Sequence, residues 1–184
     1  MGELYRGKAW TFGDNINTES IMASTSDHGA HLPIDECLVY YDPEFPKQMQ
    51  PGDFIVAGRN FGNSSSRPAA LVLRAMKLRA IICEQSAVIF YRNTWNIGVP
   101  VLECTGISKM VNKGDQLEVD IEAGIIKNLN TGKNAQAEPP IELLLERWKA
   151  GGMMEWIKRH PDLYPTVNKF HPLKTGEDSQ VFPV

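Results

Sequence analysis

Between residues 53 and 103 the chain repeats one pattern: a short unbroken apolar run, a segment with helical spacing, then another apolar run. Asp53-Phe54-Ile55-Val56-Ala57, Ala80-Ile81-Ile82-Cys83 and Val99-Pro100-Val101-Leu102-Glu103 read as strands. The first two lack polar alternation, which predicts burial on both faces. Between the first two, Ala69, Val72, Leu73, Met76 and Ala80 form one helical stripe that predicts a core-facing helix opening at Pro68. Ser86 is expected to cap a second, shorter helix running through Asn93. Strands separated by helices pair in parallel through right-handed crossovers, so an α/β architecture is expected.

The period then changes. Gln116-Leu117-Glu118-Val119-Asp120-Ile121 alternates polar with apolar, and Ile125 to Leu129 follows a turn at Ala123-Gly124. With the turn at Asn130-Thr131-Gly132 this predicts a short antiparallel meander. Pro139-Pro140 opens a helix with Ile141, Leu144, Leu145 and Trp148 on one face; Gly151-Gly152 ends it, and Met153 to Arg159 forms another. In the N-terminal third, Lys8 to Phe12, Ile21 to Ala23 and Cys37 to Tyr41 are candidate strands. Ser24 to Pro33 reads as a loop and Asp42 to Gly52 as a connection. Residues 1–160 are therefore expected to be one domain, and 161–184, rich in proline and without periodicity, an extended tail.

Hydrophobic residues make up 42% of the chain, enough for a proper core, and the formal net charge is -3. No basic face argues for nucleic acid, and no apolar stretch approaches a membrane span. The sparse, odd set Cys37, Cys83 and Cys104 argues for a reducing cytoplasm and against a disulfide scaffold, and Cys83 and Cys104, each ending an apolar run, read as buried thiols. His28, His31, His160 and His171 show no metal spacing, so this chain itself is expected to hold no metal.

Gly58-Arg59-Asn60-Phe61-Gly62-Asn63-Ser64-Ser65-Ser66-Arg67 lies between the first of the apolar runs and the first helix. Unpaired N–H groups at a helix start attract anions, and Arg67 can offer two parallel hydrogen bonds to a carboxylate or phosphate. The same residues also suit an ordinary turn and helix cap, with Pro68 in the first helical turn.

Three separated segments resemble the small subunits of the aconitase-type hydro-lyases, 3-isopropylmalate dehydratase in particular. Asp14-Asn15-Ile16-Asn17-Thr18-Glu19 is similar to that family's Asp-x-Ile-Asn-Thr-Asp signature. Gly58 to Gly62 with Ser65-Ser66-Arg67 is similar to its active-site loop. Phe90-Tyr91-Arg92-Asn93 with Asn96-Ile97-Gly98-Val99-Pro100 is similar to its third motif. The resemblance spans roughly residues 8 to 159. It implies a swivelling β/β/α domain with a mixed sheet, and a larger partner subunit carrying a [4Fe-4S] cluster whose open iron takes the substrate's hydroxyl. It implies reversible removal of water from a small hydroxy-dicarboxylate. Counting back from Arg67, the family's serine base falls on Ser65. Ser64, Ser66, Asn60 and Arg67 would contribute to substrate binding, with Arg67 on a carboxylate. Ser66 also suits the helix cap.

The chain departs from the family pattern inside this loop. The family reads Gly-x-Gly-Ser-Ser-Arg-Glu-His-Ala, whereas here Ser64 replaces the second glycine and Pro68-Ala69 replaces Glu-His. A serine in place of that glycine is expected to sit in an unusual backbone conformation at some cost. The loop that reads the substrate's side group is here Ser24 to Leu32, with Asp27, His28 and His31. It either reads a more polar substrate or is simply solvated. Two further readings stand beside the isopropylmalate type: another substituted malate or maleate, or a non-catalytic anion-binding or regulatory module. The tail packs either on the partner or on a second copy of this chain, which would make the isolated chain a homo-oligomer.

Overall fold

The computed structural model describes residues 2–23, 32–64 and 67–163. Seven strands form one mixed sheet: β1 (Leu4–Phe12), β2 (Phe54–Ala57), β3 (Ala80–Cys83), β4 (Val101–Glu103), β5 (Gln116–Asp120), β6 (Ile125–Asn128) and β7 (Asn134–Gln136). Their order is β4-β3-β2-β1-β5-β6-β7. β1 to β4 pair in parallel, and β5 to β7 form the antiparallel meander. β1 belongs to both halves. Its second half, Ala9 to Phe12, lies parallel to β2, while its first half, Leu4 to Lys8, runs antiparallel to β5. The expected strand therefore extends back to Leu4, where Tyr5, Arg6 and Gly7 gave no apolar signal.

Among the described residues six α-helices accompany the sheet: α1 (Thr18–Ile21), α2 (Phe45–Gln48), α3 (Ala69–Ala75), α4 (Val88–Asn96), α5 (Glu142–Ala150) and α6 (Met153–Arg159). α3 connects β2 to β3 and α4 connects β3 to β4. All residues of β2 and β3 are buried, as their unbroken apolar runs require. Trp10 and Phe12 project from the same face of β1 and meet the ring of Phe45 edge-on at 5.4 and 5.3 Å. Beneath them the buried carboxylate of Asp53 accepts hydrogen bonds from Lys8 N–H at 3.0 Å, Trp10 Nε1 at 2.9 Å and Gln50 N–H at 2.9 Å.

Four expectations are corrected. Ile21 to Ala23 is no strand: Asn17 caps α1, its Oδ1 accepting from Ser20 N–H at 2.8 Å, and Ile21 ends that helix. Cys37 to Tyr41 is a run of turns, not a strand. Leu38 takes a φ of +55°, and its carbonyl accepts from both Tyr41 and Asp42, so the backbone is satisfied locally. The helical stripe stops before Ala80. Lys77 adopts a φ of +59°, α3 ends at Ala75, and Ala80 is the first residue of β3. Ser86 does not cap α4. Its hydroxyl donates to Glu103 Oε1 at 2.6 Å, and Ala87 takes the cap position. The connection at Asp42 to Gly52 contains the single turn of α2. Of the expected tail, residues 164–184 lie outside the described residues.

Candidate functional site

The sheet register brings the three motifs together. Phe12, Ala57 and Cys83 end three adjacent parallel strands side by side, so the segments that follow them leave the sheet at one edge. In open parallel sheets ligands bind at this carboxyl edge. The first two segments are then stitched by main-chain bonds: Asn15 N–H to Arg59 O at 2.8 Å, Gly62 N–H to Ile16 O at 2.7 Å, and Thr18 N–H to Asn63 O at 2.9 Å. The third joins through Phe61 N–H to Gln85 O at 3.1 Å and Ala87 N–H to Phe61 O at 2.8 Å.

Two glycines permit this closeness. A Cβ on Gly58 would overlap the Asp14 carboxylate, which accepts from Arg59 N–H at 2.7 Å. Gly62, at a φ of +75°, passes so near Phe90 that a Cβ would overlap its ring. Phe90 in turn packs edge-on against Phe61 at 5.5 Å.

Ser64 occupies the left-handed region with a φ of +67°, which costs a serine on the order of 1 kcal/mol. Its hydroxyl donates to Glu19 Oε1 at 2.8 Å. Thus the serine that stands for a family glycine is held by the glutamate that stands for the signature's aspartate. The longer acid reaches the added hydroxyl, and the two departures meet.

Beside this turn lies a cavity of about 250 Å³. Its wall is mainly apolar, from residues 68–71 at the start of α3 and Ile89, Phe90 and Ile97 in and after α4. Thr18, Ser64, Arg67, Asn93 and Asn96 supply its polar groups. Arg67 makes no hydrogen bond or ion pair within the described residues. Asn96 Oδ1 accepts a long hydrogen bond, 3.4 Å, from Arg147 of α5. Pro68, not Ser66, holds the N-cap position of α3 and makes no side-chain cap bond. As α3 has seven residues and its cap has no N–H, the arginine is the stronger anion-attracting group here.

Neighbouring groups are built for structure. Glu84, just past β3, accepts from Ser108 Oγ at 2.6 Å and Gly106 N–H at 2.8 Å, and these bonds hold its carboxyl below the usual range. Burial pushes the Cys37, Cys83 and Cys104 thiols up, so they stay protonated. Among the described residues no cluster of three His, Cys, Asp or Glu side chains could hold a metal ion.

The aconitase C-terminal domain family matches residues 8–106. The chain is 41% identical over 164 residues to the isopropylmalate/citramalate isomerase small subunit of Methanocaldococcus jannaschii, covering 86% of this chain and 96% of that one. It is also 41% identical over 162 residues to the 3-isopropylmalate dehydratase small subunit of Thermodesulfovibrio yellowstonii, covering 84% and 94%. The crystal structure of a 3-isopropylmalate dehydratase from Methanocaldococcus jannaschii superposes with a TM-score of 0.77 at 30% identity, over 90% of this chain and 99% of that one. The chain belongs to the 3-isopropylmalate dehydratase small subunits of the aconitase family.

The structure places the residues of the three motifs unevenly. Ser64 and Arg67 both reach the cavity. Asn60 does not line it: its Nδ2 donates to Asn15 Oδ1 at 2.9 Å, bracing the first two motifs at a φ of +59°. Ser65, Ser66, His28 and His31 lie outside the described residues. Thr18, Asn93 and Asn96 line the cavity, although the family motifs containing them suggested no role for each. Glu19 was likewise visible only as part of a signature. The usable signal was the joint departure of Glu19 and Ser64 from the family pattern.

Proposed function

We propose that this chain is the small subunit of a heteromeric hydro-lyase that removes water from, and returns it to, a hydroxy-dicarboxylic acid of the isopropylmalate type. The carrying observation is Arg67, a guanidinium without a partner in the described residues, at a largely apolar cavity on the carboxyl edge of the parallel strands. Such a group suits bidentate capture of a substrate carboxylate. Ser65 would take the proton from the carbon beside that carboxylate, and Ser66 would help to hold the substrate; both roles rest on the family motif. Glu19 and Ser64 would set the turn on which these residues stand.

The described residues do not fit an iron–sulfur cluster: the thiols are buried and no ligand cluster exists among them. The [4Fe-4S] cluster that the family resemblance implies would sit on a large subunit, a reading supported by relatives named as small subunits. No helix among the described residues is long and apolar enough to cross a membrane.

Anaerobic co-purification from the native lysate tests the reading. A brown, iron-containing partner is expected, and the complex should convert an isopropylmalate-type diacid with alkene absorbance. Ser65→Ala should lower kcat by roughly a hundred-fold or more. If no malate is turned over in the complex while anion binding persists and needs Arg67, the chain is a non-catalytic anion-binding module. The replacement of Glu-His by Pro68-Ala69 is the observation that favours that second reading.

A further inference from the structure

The cavity beside Arg67 narrows the substrate class, an inference that rests on the hydro-lyase reading above. We propose that it seats a bulky apolar substituent of the diacid, of about benzyl size, while Arg67 holds a carboxylate at its rim. The preferred substrate is then a malate carrying an aryl-alkyl group rather than a methyl or isopropyl one.

Three observations carry this. The first is size. The cavity measures about 250 Å³, whereas a dry engineered cavity of about 150 Å³ already accepts benzene. An isopropyl group has half the carbons of a benzene ring and would leave much of the space unfilled.

The second is the wall. Ala69 and Phe90 are buried at its base, and Leu71 and Ile89, 40% and 48% exposed, form an apolar lip. A second carboxylate or a hydroxyl placed against these four side chains would lose hydration there, and only the cavity's fewer polar groups, Thr18, Ser64, Asn93 and Asn96, could offset that cost. An apolar group is therefore favoured over the more polar substituent that the histidine-bearing loop allowed.

The third is the anchor. Arg67 reaches the same cavity and has no hydrogen-bond or ion-pair partner among the described residues, so it can hold the substrate's charged end. Charge at the rim and apolar depth match a diacid with one bulky apolar arm.

The test uses the complex with its large subunit and compares kcat/KM for malates bearing methyl, isopropyl and benzyl groups. The benzyl compound is expected to exceed the methyl compound by at least ten-fold. Ala69→Leu fills the base of the cavity, and Ile89→Trp, at an exposed position that spares the core, narrows its mouth. Each should lower the benzyl-to-methyl ratio at least ten-fold. Turnover of the methyl or isopropyl compound with no benzyl preference, and a ratio unmoved by Ile89→Trp, overturns the proposal and leaves the hydro-lyase function standing. Loss of assembly with the large subunit in Ile89→Trp, seen by size-exclusion chromatography, also overturns it, because the cavity then seats the partner. Absence of turnover with every malate overturns the hydro-lyase reading itself, and the substrate class with it.

Discussion

The two halves of the sheet solve burial differently. On the parallel side β2 and β3 are buried at every residue, because helices or loops cover both faces. On the antiparallel side β6 alternates exposed and buried residues, and β5 is exposed at its start, so one face meets solvent. The parallel half ends in long segments at its carboxyl edge, and these contribute to the cavity beside Arg67. The antiparallel half is joined by tight turns, which leave little chain from which to build one. β1 carries the difference within a single strand, pairing one way along its first half and the other way along its second.

Damage to each half should therefore read out differently. Arg67→Ala should show the largest effect, a loss of about a hundred- to a thousand-fold in kcat/KM of the complex, with an unchanged denaturation midpoint. Ile126→Ala, in the fully buried part of β6, should destabilise by about 3 kcal/mol in denaturant titrations while leaving kcat of the folded complex intact. An activity loss in that variant would break the comparison. Gly62→Ala belongs to the parallel half and should affect both. Its left-handed φ and the overlap with Phe90 predict a cost of roughly 2 kcal/mol, with a displaced anion turn and lower activity.

The smallest effect is on pH. Glu84 has its carboxyl held below the usual range by Ser108 and Gly106. Its contribution is therefore present above the ordinary glutamate pKa of about 4.3 and is lost as pH falls through the lower folded value. Because the side chain is partly solvated, Glu84→Gln should remove less than about 1 kcal/mol of the stability difference between pH 6 and pH 3. Asp42 should behave with the same sign. Burial works to raise its carboxyl, but Lys113, 2.5 Å away, and the Glu44 N–H hold it low.

The elements that were legible share a property: their burial follows from their own residues. Ala80-Ile81-Ile82-Cys83 is a strand at the expected residues because an unbroken apolar run must be covered on both faces. The meander was legible because period-two alternation suits one covered face. The misread elements drew their shape from elsewhere. Cys37 and Leu38 are fully buried, yet they pack through turns whose backbone bonds are local and to Ser20. Ser86 looks like a cap but is claimed by Glu103, from a strand beyond the helix it precedes. In the candidate site, Arg67 and Ser64 come from one motif and both line the cavity, as their shared turn suggests. The bracing role of Asn60 was not legible, because it depends on where Asn15 comes to lie.

The sequence by itself determined the alternation of strand and helix, the switch to a meander, the family, and a turn of serines ending in an arginine. These follow from local periodicity and from residue types whose chemistry does not depend on distant neighbours. Only the tertiary structure decided that the ends of β1, β2 and β3 stand side by side, that Glu19 grips Ser64, and that Pro68 and Ala69 help line an apolar cavity rather than merely interrupting a motif. Those facts depend on strand register and on the space between helices, set by the packing of segments far apart in the chain.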